Sequence, residues 1–198
     1  MRVGVWGDNE REVMRDMKNL AAAGYVLAVL VLAFWNSGVL GGAGWQNLWQ
    51  VAGLGLGLAL GWSLVYADHV IYCLTYPHEH TPMRVAGLVR ERKVGEAIKL
   101  LNATTETRKR LILHSGLFQV VLALFGFWIV SSSGDAFGRG IILGMMVNFL
   151  AFNVEKLKAG AGGEIFWQIR RDVPVGEQRL VVAFLAAAFL YLTAVSLN

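Results

Sequence analysis

Long apolar blocks alternate with short polar segments along this chain, and the blocks have the length of bilayer crossings. A helix needs about 20 mostly apolar residues to cross about 30 Å of hydrocarbon. We expect a transmembrane helix in each of five blocks: residues 20–40, 49–76, 111–130, 136–154 and 180–197. The pattern therefore predicts an all-α fold, a polytopic transmembrane helical bundle with about five spans.

The fourth block is the least regular of the five. Residues 140–154 are short for a crossing unless the four preceding residues are counted, and they include Asn148 and Asn153. This block is either a full crossing or a re-entrant segment. Five crossings place the two chain ends on opposite sides of the membrane, whereas four place them on the same side.

Composition supports a membrane protein. Apolar side chains make up 56% of the chain, charged ones only 16%, and three prolines are present, which excludes a disordered chain and argues against a water-soluble domain. The single cysteine, Cys73, excludes an internal disulfide. In a membrane protein, the basic residues behind the net charge of +4 indicate the orientation of the chain and its contact with anionic headgroups. We therefore expect the lipid bilayer as a partner, and no nucleic acid.

Basic residues are distributed unevenly over the predicted connections. All 18 Lys and Arg residues except Arg139 fall on the N-terminal tail, on residues 77–110 or on residues 155–179. Because basic loops stay in the cytoplasm, these segments are expected on the cytoplasmic face. The chain is thus predicted to be an integral protein of the plasma (inner) membrane, with its N-terminus cytoplasmic and its C-terminus outside.

Glycines in two of the spans have helix-packing spacing. Gly53, Gly57 and Gly61 recur every four residues in the second span, and Gly140 and Gly144 do so in the fourth. Small residues at this interval let two helix backbones approach closely in a membrane. We expect spans two and four to be in contact. The alternative is that these faces form a homodimer interface or line a pore.

Two extramembrane segments have amphipathic patterns. In residues 77–110, apolar positions recur at helical spacing over 83–91 and 95–101, which predicts a cytoplasmic helical hairpin. That hairpin either lies on the membrane surface or docks a cytoplasmic protein partner. Residues 164–172 have an apolar side followed by basic residues, which is typical of an interfacial helix in the headgroup plane.

The four histidines lie within 46 residues on the predicted cytoplasmic side and form the one cluster that suggests a metal. Imidazole and carboxylate groups are ligands for zinc and similar divalent cations. The candidate ligands are His69, His78, Glu79, His80 and His114. Their spacing permits a divalent metal site, although no HExxH or repeated CxxC pattern specifies one, and no other cofactor is expected. Alternatively, these side chains bond to headgroups, water or backbone carbonyls.

Asp68 is the candidate for ion or proton handling. An ionisable residue at the centre of a membrane costs roughly 2.5–3.5 kcal/mol on insertion scales, so it usually has partners and often a role. Asp68 is instead an ordinary interfacial acid if the second span ends near it. The polar side chains available as companions of a buried Asp68 are those of His69, His114, Gln119, Asn148 and Asn153.

No catalytic residues are indicated, since the chain has neither a GxSxG nor a GxxxxGK[ST] sequence. The run from Tyr76 to Glu79 with the basic helices that follow it, and the run from Phe166 to Arg171, are similar to uncharacterised bacterial multi-pass inner-membrane proteins. The resemblance implies an inner-membrane setting and no activity.

The sequence thus favours a non-enzymatic assembly or interaction component with a basic cytoplasmic face. A small transporter or channel subunit that uses Asp68 and neighbouring polar residues is the alternative. A metal-dependent membrane enzyme built on the histidine cluster is a further alternative.

Overall fold

The computed structural model describes residues 8–37, 45–104, 111–132, 135–169 and 171–197, and every regular element in these ranges is a helix. In chain order they are α1 (Asp8–Asn36), α2 (Trp45–Leu64), α3 (Ala67–Thr75), α4 (His80–Arg90), α5 (Val94–Ala103), α6 (Gly116–Ser132), α7 (Ala136–Lys158), a short 3-10 helix (Gly162–Phe166) and α8 (Val175–Leu197). The architecture is all-helical, as the apolar pattern predicts.

Three helical stretches are long and apolar enough to cross a membrane: Asn47–Thr75, Ala136–Lys158 and Val175–Leu197. Two shorter apolar helices, Leu20–Asn36 and Gly116–Ser132, accompany them. The chain is therefore a membrane helical bundle. The irregular fourth block is one continuous helix of 23 residues, because the residues before Gly140 are helical as well.

The boundaries of two other expected spans differ from the sequence pattern. The second block is divided by a turn at residues 65–66 into α2 and α3, and the third begins its helix at Gly116 rather than at residue 111. In both places hydrogen bonds of polar groups, described below, replace the regular helical ones. Residues 38–40 of the first block lie outside the described residues.

The backbones of α2 and α7 touch through their glycines. A Cβ atom on Gly57 would overlap the carbonyl oxygen of Phe137, and one on Gly61 would overlap the carbonyl oxygen of Ile141. Gly53, by contrast, would meet Phe137 only at an ordinary distance of 3.6 Å. Two of the three glycines in the α2 row are thus required for this approach.

The reverse contacts come from the glycines of α7. A Cβ atom on Gly140 would overlap the carbonyl oxygen of Leu54, and one on Gly144 would overlap that of Leu58. Residue numbers rise together along the two helices, so α2 and α7 run parallel. These glycine faces thus pack against each other within one chain.

The other long helices alternate in direction. Gln119 near the start of α6 bonds Asn153 near the end of α7, so these helices are antiparallel. Asn36 donates to the carbonyl of Leu197, and these residues end α1 and α8, which therefore run parallel.

Helix α8 is antiparallel to α7. Gln178 near the start of α8 lies against Gly162 just after α7. Leu192 near the end of α8 approaches Gly126 beside Ile142, which is near the start of α7. Helices α1, α6 and α8 therefore point one way, and α2 and α7 point the other.

Helix α7 lies at the centre of the bundle. In the most apolar part of α7, half of the residues are buried. In the most apolar parts of the α2–α3 and α8 stretches, 28% are buried. Leu143 of α7, Leu58 of α2 and Leu192 of α8 are completely buried. Gly126 of α6 admits the Leu192 side chain, since a Cβ atom there would lie 2.9 Å from its Cδ1.

The interfacial helix expected at residues 164–172 is not formed as such. The structure has a 3-10 helix at Gly162–Phe166 followed by a turn, and Arg170 lies outside the described residues. Ile165 and Phe166 are buried, and both contact Gly116 at the start of α6. The apolar side of this segment therefore packs against α6, which removes the reason for it to lie flat in the headgroups.

Replacement of Gly61 or Gly144 by Ala should lower the free energy of unfolding by about 1–3 kcal/mol, because the added methyl group forces two backbones apart. The measurement is thermal unfolding of the purified chain in detergent. Gly24→Ala is the matched control: nothing lies within 4 Å of a Cβ atom there, and alanine favours a helix over glycine. Equal stability of G61A, G144A and G24A would contradict the glycine packing.

Candidate functional site

A break in helical bonding places Asp68 at the start of α3. The N–H of Tyr66 donates to the carbonyl of Ser63 at 3.0 Å, three residues back, instead of to Trp62. The carbonyl of Trp62 accepts from Nδ2 of Asn148 on α7 at 3.2 Å. An Asn side chain thus satisfies the backbone group that the break releases, as a carbonyl in a membrane interior requires.

Asp68 is buried, with an exposed fraction of 1%, and both carboxylate oxygens accept hydrogen bonds. Oδ1 accepts from the N–H of Ile112 at 3.1 Å. Oδ2 accepts from the N–H groups of Leu113 at 2.9 Å and His114 at 3.1 Å, and it lies 2.8 Å from Nδ1 of His114. Consecutive N–H groups of this kind form an anion-binding nest. We call this arrangement the Asp68 latch.

The nest exists because α6 begins late. Ser115 precedes the first residue of α6, and its hydroxyl oxygen accepts from the N–H of Phe118 at 3.3 Å, as an N-cap does. The same hydroxyl donates to the carbonyl of Ile112 at 2.7 Å. Residues 112–114 are therefore outside the helix, and their N–H groups are available to the carboxylate.

The His114 ring lies in an aromatic pocket. Its centroid is 4.6 Å from that of Phe152 and 5.5 Å from that of Phe149, both in edge geometry. The His69 ring stacks beside it at 6.2 Å. The contact between Nδ1 of His114 and Asp68 therefore fixes the orientation of this imidazole.

A second polar pair continues from His114 into the bundle. Nε2 of Gln119 donates to the His114 carbonyl at 3.0 Å and to Oδ1 of Asn153 at 3.3 Å. Nδ2 of Asn153 returns a bond of 2.5 Å to Oε1 of Gln119. Both amide side chains are buried. We call Asp68, His69, His114, Gln119 and Asn153 the polar cluster; it connects α3, α6 and α7.

Of the residues that the sequence singles out, the structure brings Asp68, His69 and His114 together. Gln119 and Asn153 are also expected companions of a buried Asp68. They do not contact the carboxylate, and hydrogen bonds connect them to it through His114. Asn148 is not in contact with the carboxylate, because its side chain is bonded to Trp62. Asp68 is buried, so it is not an exposed acid at a membrane surface.

The other candidate metal ligands lie on the connection between α3 and α4 and on the first residue of α4. His78 and His80 are exposed, and the Glu79 carboxylate accepts from the Tyr72 hydroxyl. In the ranges that the structure describes, no group of three or more His, Cys, Asp or Glu side chains could hold a metal ion. His69 and His114 are thus associated with Asp68, and not with this connection.

Two parts of the site have no signal in the sequence. Every residue except proline has an N–H group, so nothing marks residues 112–114 as a nest. Tryptophan is a residue type typical of interfacial anchors, but Nε1 of Trp167 donates to the Leu111 carbonyl at 3.1 Å. This bond ties the segment before α8 to the residues before α6.

The arrangement is suited to holding helices together. Asp68 has four donors, and the Ser115 hydroxyl is directed to a backbone carbonyl rather than to His114. Charge-assisted bonds of this kind are stronger than neutral ones, and interhelical polar bonds stabilise membrane bundles. The polar cluster thus has the geometry of a structural clamp on one end of the bundle.

Asp68→Asn should reduce the free energy of unfolding by about 2–4 kcal/mol, because an amide presents a donor to the nest and removes a buried charge from its partners. The measurement is thermal unfolding in detergent. Asp135→Asn is the control: Asp135 caps α7 from an exposed position, and Asn caps equally well. A D68N variant as stable as D135N, with proton flux lost in proteoliposomes, would contradict the structural role.

Comparison with known proteins adds no family to this description: no protein-family model, no curated protein and no solved structure matches the chain. Its function is therefore inferred from its own geometry.

Proposed function

We propose that this chain is a non-enzymatic membrane component that works by binding, and that helices α4 and α5 form its interaction surface. These two helices pack on each other, and Val85 of α4 and Ala97 of α5 are buried. Helix α4 also contacts α3. The remaining faces of the pair are exposed, which leaves them available for a partner.

The observation that carries this proposal is the chemistry of the exposed faces. Four apolar side chains of the pair are more than half exposed: Met83, Val89, Val94 and Ile98. Exposed apolar groups that recur on one small element are the raw material of an interaction site, whereas scattered single ones are ordinary. Their position on two short helices outside the three candidate spans supports a binding role.

Basic residues surround these apolar positions. The pair has five basic side chains against two acidic ones, Glu91 and Glu96. In the described part of the chain, Lys93 pairs with Glu91 at 2.8 Å, and no ion pair involves the other four, which are Arg84, Arg90, Arg92 and Lys99. The surface is therefore suited to an anionic partner.

The same proposal includes five crossings with the basic segments in the cytoplasm. The directions of α1, α2, α6, α7 and α8 alternate as five successive crossings require. The α4–α5 pair, the start of α6 and the connection before α8 lie at one end of the bundle, and this end has most of the basic residues. The positive-inside bias assigns it to the cytoplasm.

The two alternatives have less support in the geometry. Transport through Asp68 would need a carboxylate that exchanges its partners, whereas both oxygens of Asp68 are already bonded to residues 112–114. Metal-dependent catalysis would need His78 and His80 to approach His69 and His114. Binding requires only the surface that α4 and α5 already present.

A reporter fused after Asn198 tests the crossings. Five crossings put the C-terminus outside, so alkaline phosphatase should be active there and green fluorescent protein dark. A fluorescent protein inserted after Arg92, in the turn between α4 and α5, should be bright. A fluorescent C-terminus would leave four crossings and would refute the proposed topology.

Thiol labelling in native membrane fragments tests the interaction surface. In a Cys73→Ser background, Ile98→Cys should react several-fold more slowly with an uncharged, bulky maleimide than Glu96→Cys, because the partner covers residue 98. Both positions are exposed on α5 in the chain alone, and they lie on opposite sides of this helix. Equal rates in membranes would contradict the proposed function.

A further inference from the structure

We propose that the partner of the α4–α5 pair is the anionic headgroup layer of the bilayer in which the chain itself is embedded. This inference rests on the proposed function, because it names what the interaction surface binds. Three observations support it: the attachment of the pair to membrane helices, the kinds of side chain that it exposes, and the distribution of its charges.

The pair is attached to the membrane part at the start of α4. Four residues separate Thr75, where the candidate span Asn47–Thr75 ends, from the start of α4. An extended chain covers at most about 3.6 Å per residue, so the five steps from Thr75 to His80 place the start of α4 within about 18 Å of the end of this span. The Tyr72 hydroxyl bonds Glu79 and holds the connection against α3.

This attachment gives the lipid surface a large advantage over other partners. A tethered binding site meets its target at a high effective concentration, whereas a soluble protein must be present and must diffuse to the site. The headgroup layer is always within reach of the pair.

The exposed side chains match this layer chemically. Guanidinium groups bind phosphate in a bidentate manner, and Arg84 and Arg90 are exposed on α4. Apolar side chains on the same helices enter the boundary between headgroups and acyl chains, and Met83, Val89 and Ile98 are exposed. A purely acidic protein surface would leave these apolar groups in water.

Charges of opposite sign do not obstruct this contact. Glu91 is engaged by Lys93, and Glu96 lies on the side of α5 away from Ile98. Each basic residue near an anionic surface increases the binding constant about fivefold. Three such residues are sufficient to keep the pair on an anionic bilayer and to leave it free above a neutral one.

The test uses the full chain, purified and reconstituted in lipid nanodiscs, with the same uncharged maleimide and the I98C and E96C positions. One set of discs contains phosphatidylcholine alone, and the other also contains about a third phosphatidylglycerol. We expect I98C to react about fivefold or more slowly in the anionic discs, and E96C to react alike in both. Salt at about 1 M, where the Debye length is about 3 Å, should remove the difference.

Matched charge variants separate the surface from net charge. R84Q/R90Q/K99Q should abolish the protection of I98C in anionic discs. K158Q/R171Q/R179Q makes the same change in net charge outside the pair and should leave the protection intact. Loss of protection in both variants would overturn the assignment to α4 and α5.

The outcomes distinguish this inference from the proposed function. If I98C is protected in native membranes but reacts as fast as E96C in both kinds of disc, the surface binds a protein and the lipid inference fails alone. If I98C is unprotected in native membranes as well, both proposals fail. Protection that is equal in neutral and anionic discs and insensitive to salt would also overturn recognition of anionic headgroups.

Discussion

A membrane interior has no water to bond polar groups, so each buried carbonyl, N–H group and carboxylate must find its partner in the protein. At one end of this bundle, that constraint determines where helices begin and end. The Asp68 carboxylate needs donors, and residues 112–114 supply them only by remaining outside α6. The buried carboxylate and the late start of α6 therefore belong together, since each satisfies the other.

The glycine contact between α2 and α7 makes this arrangement possible. Gly61 and Gly144 bring the two backbones close enough for the Asn148 side chain to reach the Trp62 carbonyl. Because that carbonyl has a donor, α2 can end and the chain can turn at residues 65–66 without leaving a carbonyl that lacks a hydrogen bond. Backbone packing in the middle of the membrane and polar bonding at its edge are therefore coupled, because loosening the first would break the second.

Features that depend on side-chain periodicity could be predicted from the sequence, and features that depend on backbone groups could not. The four-residue interval of Gly57, Gly61, Gly140 and Gly144 indicates which two helices touch, and apolar length locates the helical blocks. No residue type marks the nest of N–H groups. The sequence therefore does not indicate whether Asp68 is buried, and it places the start of the third span at residue 111, whereas α6 begins at Gly116. From the sequence, Ile165 and Phe166 are equally compatible with an interfacial helix and with packing in the bundle. In the structure both pack against Gly116, whose lack of a side chain leaves room for them.

The Asp68 latch also bears on the position of the α4–α5 pair. Helix α3 connects the bundle to α4, and it is held at its start by Asp68 and near its end by the bond between Tyr72 and Glu79. These two bonds hold α3 and place the start of α4 beside the end of the bundle. The proposed lipid contact of α4 and α5 depends on this short, anchored connection, because a tethered surface meets the headgroups at a high effective concentration.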